Sequence, residues 1–169
     1  KATIKNSPGE FIQADITKPI EYQGAFDAVI ANMVLMDVDN VGAVYQNAWR
    51  LLKHKGLVVV TMPHPAVRRP GAKLVKTLWG KILRQDPFIR INDYAKSFFQ
   101  KGRLTAVGIP TTVFHRPLSR YIQIALDQKF KLVSIEELTP TKEELLKYKQ
   151  PLFFTKFPQI LFMVFSKDE

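Results

Sequence analysis

Two uninterrupted apolar runs with a helical period between them constrain this chain most. The first lies in FDAVIA (26–31) and the second is LVVVTM (57–62). Neither shows the apolar–polar alternation of a half-exposed strand, so each reads as a strand buried on both faces. From Val41 to Lys53, the residues Val41, Val44, Tyr45, Ala48, Leu51 and Leu52 recur at helical spacing. Asp39 or Asn40 is placed to cap that helix and Gly56 to stop it. Strand, helix and strand in this order predict a parallel α/β unit with a right-handed crossover.

The rest of the chain extends that unit. EFIQA (10–14) reads as a short strand ending at Asp15, after the turn signal Ser7-Pro8-Gly9. Pro63 and Pro65 end the second apolar run and bracket His64. In the basic stretch that follows, Leu74, Leu78 and Ile82 form one stripe beside Val75, Trp79 and Leu83, which predicts an amphipathic helix over 73–84. AVGIPTTVFH (106–115) reads as a strand that Pro110 confines to an edge or a bulge. Pro117 can open a helix with Leu118, Tyr121, Ile122, Ala125 and Leu126 on its apolar face. FKLVSIEEL (130–138) and QILFMVFS (159–166) are two more strands, joined by a lysine-rich loop punctuated with proline.

Composition excludes several chemistries. The 169 residues contain no cysteine, so disulfides, thiolate metal sites and cysteine nucleophiles are ruled out, which is compatible with a cytoplasmic setting. The three histidines lack metal-ligand spacing, and no apolar run reaches the length of a membrane span. The net charge of +10 is uneven: ten basic residues against two acidic ones fall between Val67 and Arg103. That segment is either a footprint for an anionic partner or a solvated basic surface.

FIQADI, FDAVIANMVLMDVDN, AWRLLKHKGLVVVTMPHP and FHRPLSRYIQIALDQKFKLVSIEELTPT follow one another in this chain. In that order they resemble the class I S-adenosylmethionine-dependent methyltransferases, most closely the small-molecule, type-11-like branch. The resemblance implies an α/β Rossmann-like sheet in the strand order 3-2-1-4-5-7-6, with strand 7 antiparallel. It matches EFIQA to strand 3, FDAVIA to strand 4, LVVVTM to strand 5, FKLVSIEEL to strand 6 and QILFMVFS to strand 7. The family's glycine-rich loop has no counterpart, since no G-x-G occurs among the eight glycines. Strands 1 and 2 are accordingly expected to be missing, and residues 1–169 to be the C-terminal two-thirds of one methyltransferase domain. Residues 66–115 would form an inserted basic cap on the substrate side. Without strands 1 and 2, strand 3 would lie on the order of 14 Å from its nearest neighbour, so it must pair elsewhere or with strands supplied from outside.

The resemblance also implies roles for residues. Asp15 would accept a hydrogen bond from the adenine amino group and Ile16 would pack on the ring, although a turn aspartate is equally familiar after a strand. Asn32 would face the methionine moiety of the cofactor S-adenosylmethionine, with Met33 and Leu35 lining the wall near the sulfonium. The alternative is that Asn32 only turns the chain and that Met33 to Met36 are core. His64 and His115 are candidates for a catalytic base, since an imidazole titrates near neutrality, or else are structural. Arg116, Tyr121 and Trp79 would stand on the substrate side, unless Arg116 instead pairs with Glu136 or Glu137. No metal is expected.

These readings converge on methyl transfer to a small-molecule nucleophile, with this chain by itself expected to be inactive. The rival is a non-catalytic remnant serving as a protein interaction module. The basic helix over 73–84 is a candidate lid or membrane-surface contact, or simply a packed surface helix, and vacant strand positions invite a homo-oligomer. Nucleic acid ranks last as a partner, because the basic segment lacks the interleaved aromatic pattern of an RNA-binding motif.

Overall fold

The computed structural model describes residues 9–75, 87–104 and 108–168. Its centre is a four-stranded sheet of β1 (Phe26–Asn32), β2 (Leu52–Pro63), β7 (Lys131–Leu138) and β8 (Ile160–Ser166), in the order β1-β2-β8-β7. β1 and β2 are parallel, while β8 runs antiparallel to both β2 and β7. This is the arrangement expected of strands 4, 5, 7 and 6. Residues 10–14 form no strand, which corrects the expectation for EFIQA; no strand of the described residues lies beyond β1 to pair with them.

The crossover from β1 to β2 is helix α1 (Val41–Leu51). Of the two cap candidates Asn40 serves, its Oδ1 accepting from the Ala43 N–H at 3.0 Å. The helix ends at Leu51, and β2 begins at once, so Gly56 is not its stop. The register shows what the glycine does instead: Phe26 pairs with Leu52 but Ala28 with Leu57, so the strand bulges between. Lys55 takes φ 61° there, and a Cβ on Gly56 would stand 2.9 Å from Leu52 Cδ2. Helix α2 (Leu118–Asp127) starts after Pro117 as expected, and packs beside α1 on the same face of the sheet.

The core lies between that helical layer and the sheet. β2 contributes Val58, Val60 and Met62, β8 contributes Leu161, Met163 and Phe165, and the helices contribute Val41, Tyr45, Ala48, Tyr121 and Ala125. Phe130 closes it, its ring 5.7 Å from Tyr45 and 5.1 Å from Trp49. The even spacing of the β2 and β8 contributors shows that helices cover one face. On β1 only Ala31 is buried and Ile30 is 69% exposed, so the two-sided burial expected of FDAVIA is not met at this sheet edge.

Two small antiparallel pairs stand apart from the main sheet. β3 (Lys73–Val75) pairs with β4 (Phe88–Arg90), and β5 (Phe98–Leu104) with β6 (Ile109–His115). The helix expected over 73–84 is therefore corrected at its start, where residues 73–75 are strand; the remainder, Trp79 included, lies outside the described residues. Between β7 and β8 the expected loop contains helix α3 (Lys142–Lys147), held by a capping box between Thr141 and Glu144, and a 3-10 turn (Leu152–Lys156). No helix of the described residues is long and apolar enough to cross a membrane.

Candidate active site

The carboxyl ends of β1 and β2 open onto a cavity of about 380 Å³. Met36 and Asp37, just past β1, and Met62 and Pro63, ending β2, form one side, and Val113, Phe114 and His115 of β6 the other. Tyr121 reaches it from α2, and Arg68 and Arg69 from the turn after β2. Its size falls within the roughly 300–1,000 Å³ of small-molecule sites, and open α/β sheets hold ligands at this end of their strands.

The turn that brings in the arginines is organised by His64, which is 4% exposed. Its Nε2 meets Glu137 Oε1 at 2.7 Å, its Nδ1 accepts from the Ala66 N–H at 3.3 Å, and its carbonyl accepts from the Arg68 N–H at 2.8 Å. Both ring nitrogens are thus engaged, and His64 does not line the cavity.

His115 is placed differently. It lines this cavity and a neighbouring one of about 570 Å³ that reaches Asn40, Gly42 and Arg120. Its Nε2 lies 2.9 Å from the Tyr94 carbonyl, which can only accept, so Nε2 carries the proton and Nδ1 the lone pair. Burial pushes its pKa below the usual imidazole value, with the Arg69 and Arg116 cations adding to that shift. The ring sits against Phe98 at 5.0 Å and Tyr94 at 5.7 Å. The Tyr94 hydroxyl in turn accepts from the Leu118 N–H at 3.0 Å, fastening the segment before β5 to the start of α2.

Arg116 is 8% exposed, and its partners are not Glu136 or Glu137. Its Nη2 donates to the Val38 carbonyl at 3.1 Å and to the Asp39 carbonyl, and Asp39 Oδ1 lies 3.7 Å away. The guanidinium also rests over Phe114 and Tyr121, at 5.3 and 5.8 Å from their centroids. It locks the segment after β1 to β6 and α2, while lining the larger cavity. Tyr121 donates its hydroxyl to the Phe114 carbonyl at 3.3 Å.

Asn32 answers to β2. Its Oδ1 accepts from the Thr61 hydroxyl, and the Met33 N–H donates to the Thr61 carbonyl at 2.8 Å. Met33 then turns sharply at φ 55°, which leaves its side chain 37% exposed at the strand mouth. Leu35, 1% exposed, is core. Asp15 makes an Asx turn: Oδ1 accepts from the Thr17 N–H at 3.0 Å and hydroxyl at 2.7 Å, and these bonds hold its carboxyl below the usual range. The turn is pinned to α1 by Asn47, whose Nδ2 donates to the Ile16 carbonyl at 2.7 Å and the Lys18 carbonyl at 2.6 Å. Neither cavity above is lined by Asp15, Ile16, Asn32 or Met33.

Three groups at the site were not singled out from sequence. Asp37 and Arg69 line the smaller cavity, and Asn47 holds the Asp15 turn. Arg68-Arg69, beyond the Pro-His-Pro strand end and two intervening residues, was a readable signal; Asn47 in mid-helix carried none. No cluster of potential metal ligands occurs among the described residues.

Residues 1–60 match the family model of a methyltransferase domain, of the type-11 branch. No curated protein matches the sequence. Among solved structures, an S-adenosylmethionine-dependent methyltransferase from Mesorhizobium loti superposes with TM-score 0.76 at 19% identity, over 90% of this chain and 67% of that one. The chain has the class I methyltransferase fold. A Listeria monocytogenes protein provisionally described as such a methyltransferase aligns over 98% of this chain and 73% of its own, at 19% identity and TM-score 0.75. A Burkholderia thailandensis N1-methyltransferase, solved with 1,6-didemethyltoxoflavin and S-adenosylhomocysteine bound, aligns at 10% identity and TM-score 0.52, over 94% of this chain and 51% of that one. The methyltransferase fold also hosts other chemistry, since the [4+2]-cyclase SpnF aligns with TM-score 0.52 over 94% of this chain and 55% of that one, at 14% identity.

Proposed function

We propose that this chain is the substrate-binding portion of a methyltransferase that acts on a small-molecule nucleophile. One observation carries the reading: within the methyltransferase fold, the carboxyl ends of β1 and β2 open onto an apolar cavity edged by a buried, neutral-leaning His115. S-Adenosylmethionine, when bound, supplies an electrophilic methyl group on a sulfonium.

This chain offers one flank for that cofactor. The Asp15 turn presents a carboxylate as hydrogen-bond acceptor, and Met33 an apolar, half-exposed side chain at the mouth of β1. Asn32 shapes that mouth through Thr61. The sequence contains no glycine-rich turn for the other flank, so the chain by itself is expected to hold the cofactor weakly and to be inactive. Leu35 belongs to the core and has no cofactor role in this scheme.

His115 takes the role of base. With Nε2–H fixed on the Tyr94 carbonyl, Nδ1 is left to receive a proton from the nucleophile, and burial keeps the ring neutral and able to do so. Arg116, Tyr121 and His64 act as positioning residues for the cavity walls. Aromatic and aliphatic walls exclude water, which favours a displacement needing a dry, aligned nucleophile.

An interaction module is the second reading, favoured by the exposed edge of β1 with Ile30 uncovered. Titration of S-adenosylhomocysteine separates the two. Binding by the chain extended upstream through a glycine-rich loop, weakened in Asp15→Ala, is expected for the enzyme; absence of binding at millimolar concentration refutes it.

A further inference from the structure

The smaller cavity contains a charge that the protein leaves without a counter-ion. Arg69 is 7% exposed, yet no carboxylate of the described residues lies within salt-bridge distance of it. Its Nη1 donates to the Asn92 carbonyl, its plane rests 5.0 Å from the Phe98 centroid, and its Nε has no partner. Asp93, whose charge reaches it, is already paired with Lys96 at 2.8 Å. Burying a cation is costly unless an anion or a full set of acceptors compensates, and here neither is complete. Arg68 lines the same cavity from a more exposed position and likewise forms no ion pair among the described residues.

The one acid of the lining, Asp37, does not fill this need. It forms no ion pair with either arginine, and burial pushes its carboxyl above the usual range. Asp37 enters the cavity wall from the segment after β1 and the arginines from the turn after β2, with Met36, Met62, Pro63, Val113 and Phe114 among the apolar surface. Asp37 makes no side-chain hydrogen bond among the described residues, so it is available to accept from an O–H or N–H.

We propose that this cavity takes an apolar carboxylic acid, its carboxylate received by Arg68 and Arg69 and a hydroxyl or amine at its other end directed to Asp37. A planar guanidinium pairs well with a carboxylate, and the apolar walls exclude a more heavily charged ligand. The site for the acid does not rest on the methyl-transfer reading, and the group held by Asp37 is not assigned as the nucleophile that His115 would deprotonate.

The test uses the full chain and three probes: cinnamate, 4-hydroxycinnamate and methyl cinnamate, with binding read by calorimetry and ligand-detected NMR. Both acids are expected to bind and the ester to bind roughly tenfold more weakly or worse, the change expected on losing one charge-assisted contact. Arg68→Gln and Arg69→Gln should each reduce the preference for acid over ester, and the double variant should abolish it. The exposed Arg68 keeps the test usable should Arg69→Gln unfold, which near-ultraviolet circular dichroism would show. Asp37→Ala should remove only the advantage of 4-hydroxycinnamate over cinnamate. Equal binding of acid and ester, no binding of either acid at millimolar concentration, or a preference untouched by Arg68→Gln would overturn the proposal. S-Adenosylhomocysteine titrated separately reports on the methyltransferase reading alone, so either idea can fail without the other.

Discussion

Replacing Asn47 by alanine should release the Asp15 turn from the body of the protein. Asn47 is 7% exposed, and its Nδ2 is the donor to both the Ile16 and Lys18 carbonyls, at 2.7 and 2.6 Å. A typical intramolecular hydrogen bond contributes about 0.5–1.5 kcal/mol net, so two together are worth about 1–3 kcal/mol. Both carbonyls belong to residues that are at least partly exposed, so water re-solvates them after the change. The lower half of that range, about 1–2 kcal/mol, is therefore the working figure. A factor of ten in an equilibrium corresponds to about 1.4 kcal/mol, so local opening of the turn should become roughly five- to thirtyfold more frequent. Amide hydrogen exchange reads this directly. The Lys18 N–H, bonded to the Asp15 carbonyl at 3.0 Å, and the Thr17 N–H, bonded to Asp15 Oδ1 at 3.0 Å, should exchange faster by that factor. Core amides of β2 and β8 should change less. Asn47→Asp should open the turn further, because a carboxylate cannot donate and its charge repels both carbonyl oxygens. If exchange at Thr17 and Lys18 stays at the wild-type rate in Asn47→Ala, the turn is held by something else and the reasoning fails.

Other perturbations test other parts of the account. Gly56→Ala forces a Cβ to 2.9 Å from Leu52 Cδ2 and 3.0 Å from the Lys53 carbonyl, so urea denaturation should show a loss of about 1–3 kcal/mol; an unchanged midpoint would mean the bulge relaxes freely. Phe165→Ala removes a fully buried ring packed 5.6 Å from Tyr45 and should cost about 3–5 kcal/mol in the same assay, a smaller loss meaning the core collapses around the gap. His115 has a folded pKa below its ordinary 6.5, so its neutral form is the one the fold favours. Its contribution to stability is complete above 6.5 and is lost as pH falls through the lower folded value, because the unfolded chain takes up the proton first. Thermal melts between pH 7 and about 5 should therefore show a decline that is shallower in His115→Gln. Identical slopes would place the proton uptake elsewhere.

Much of the frame was legible because it rests on periodicity. The parallel unit of β1, α1 and β2 follows from two apolar runs around a 3.6-residue pattern, and β7, β8 and α2 follow from equally local signals. Where reading failed, the deciding forces were tertiary. EFIQA has strand-like composition, but a strand exists only with a partner for its backbone, and none is there among the described residues. Leu74 and Val75 fit a helical stripe, yet they pair with Ile89 and Phe88 across a short antiparallel ladder. Helix α3 was missed although Thr141 and Glu144 spell a capping box, because lysines and prolines around it suggested a loop. Of the residues named for the site from sequence, His115 and Tyr121 line the smaller cavity. Asp37 was not named, and Arg69 was passed over although the Arg68-Arg69 pair was readable, because the cavity wall and the missing charge partner exist only in the fold.

Calorimetric titration of S-adenosylhomocysteine bears most directly on the central claim. It should be run on the 169-residue chain and on the same chain extended upstream through a glycine-rich loop. The account predicts binding by the extended form, weakened by Asp15→Ala, and little or none by the shorter one. Failure of both to bind at millimolar concentration would contradict it, and would leave a methyltransferase fold serving some other purpose.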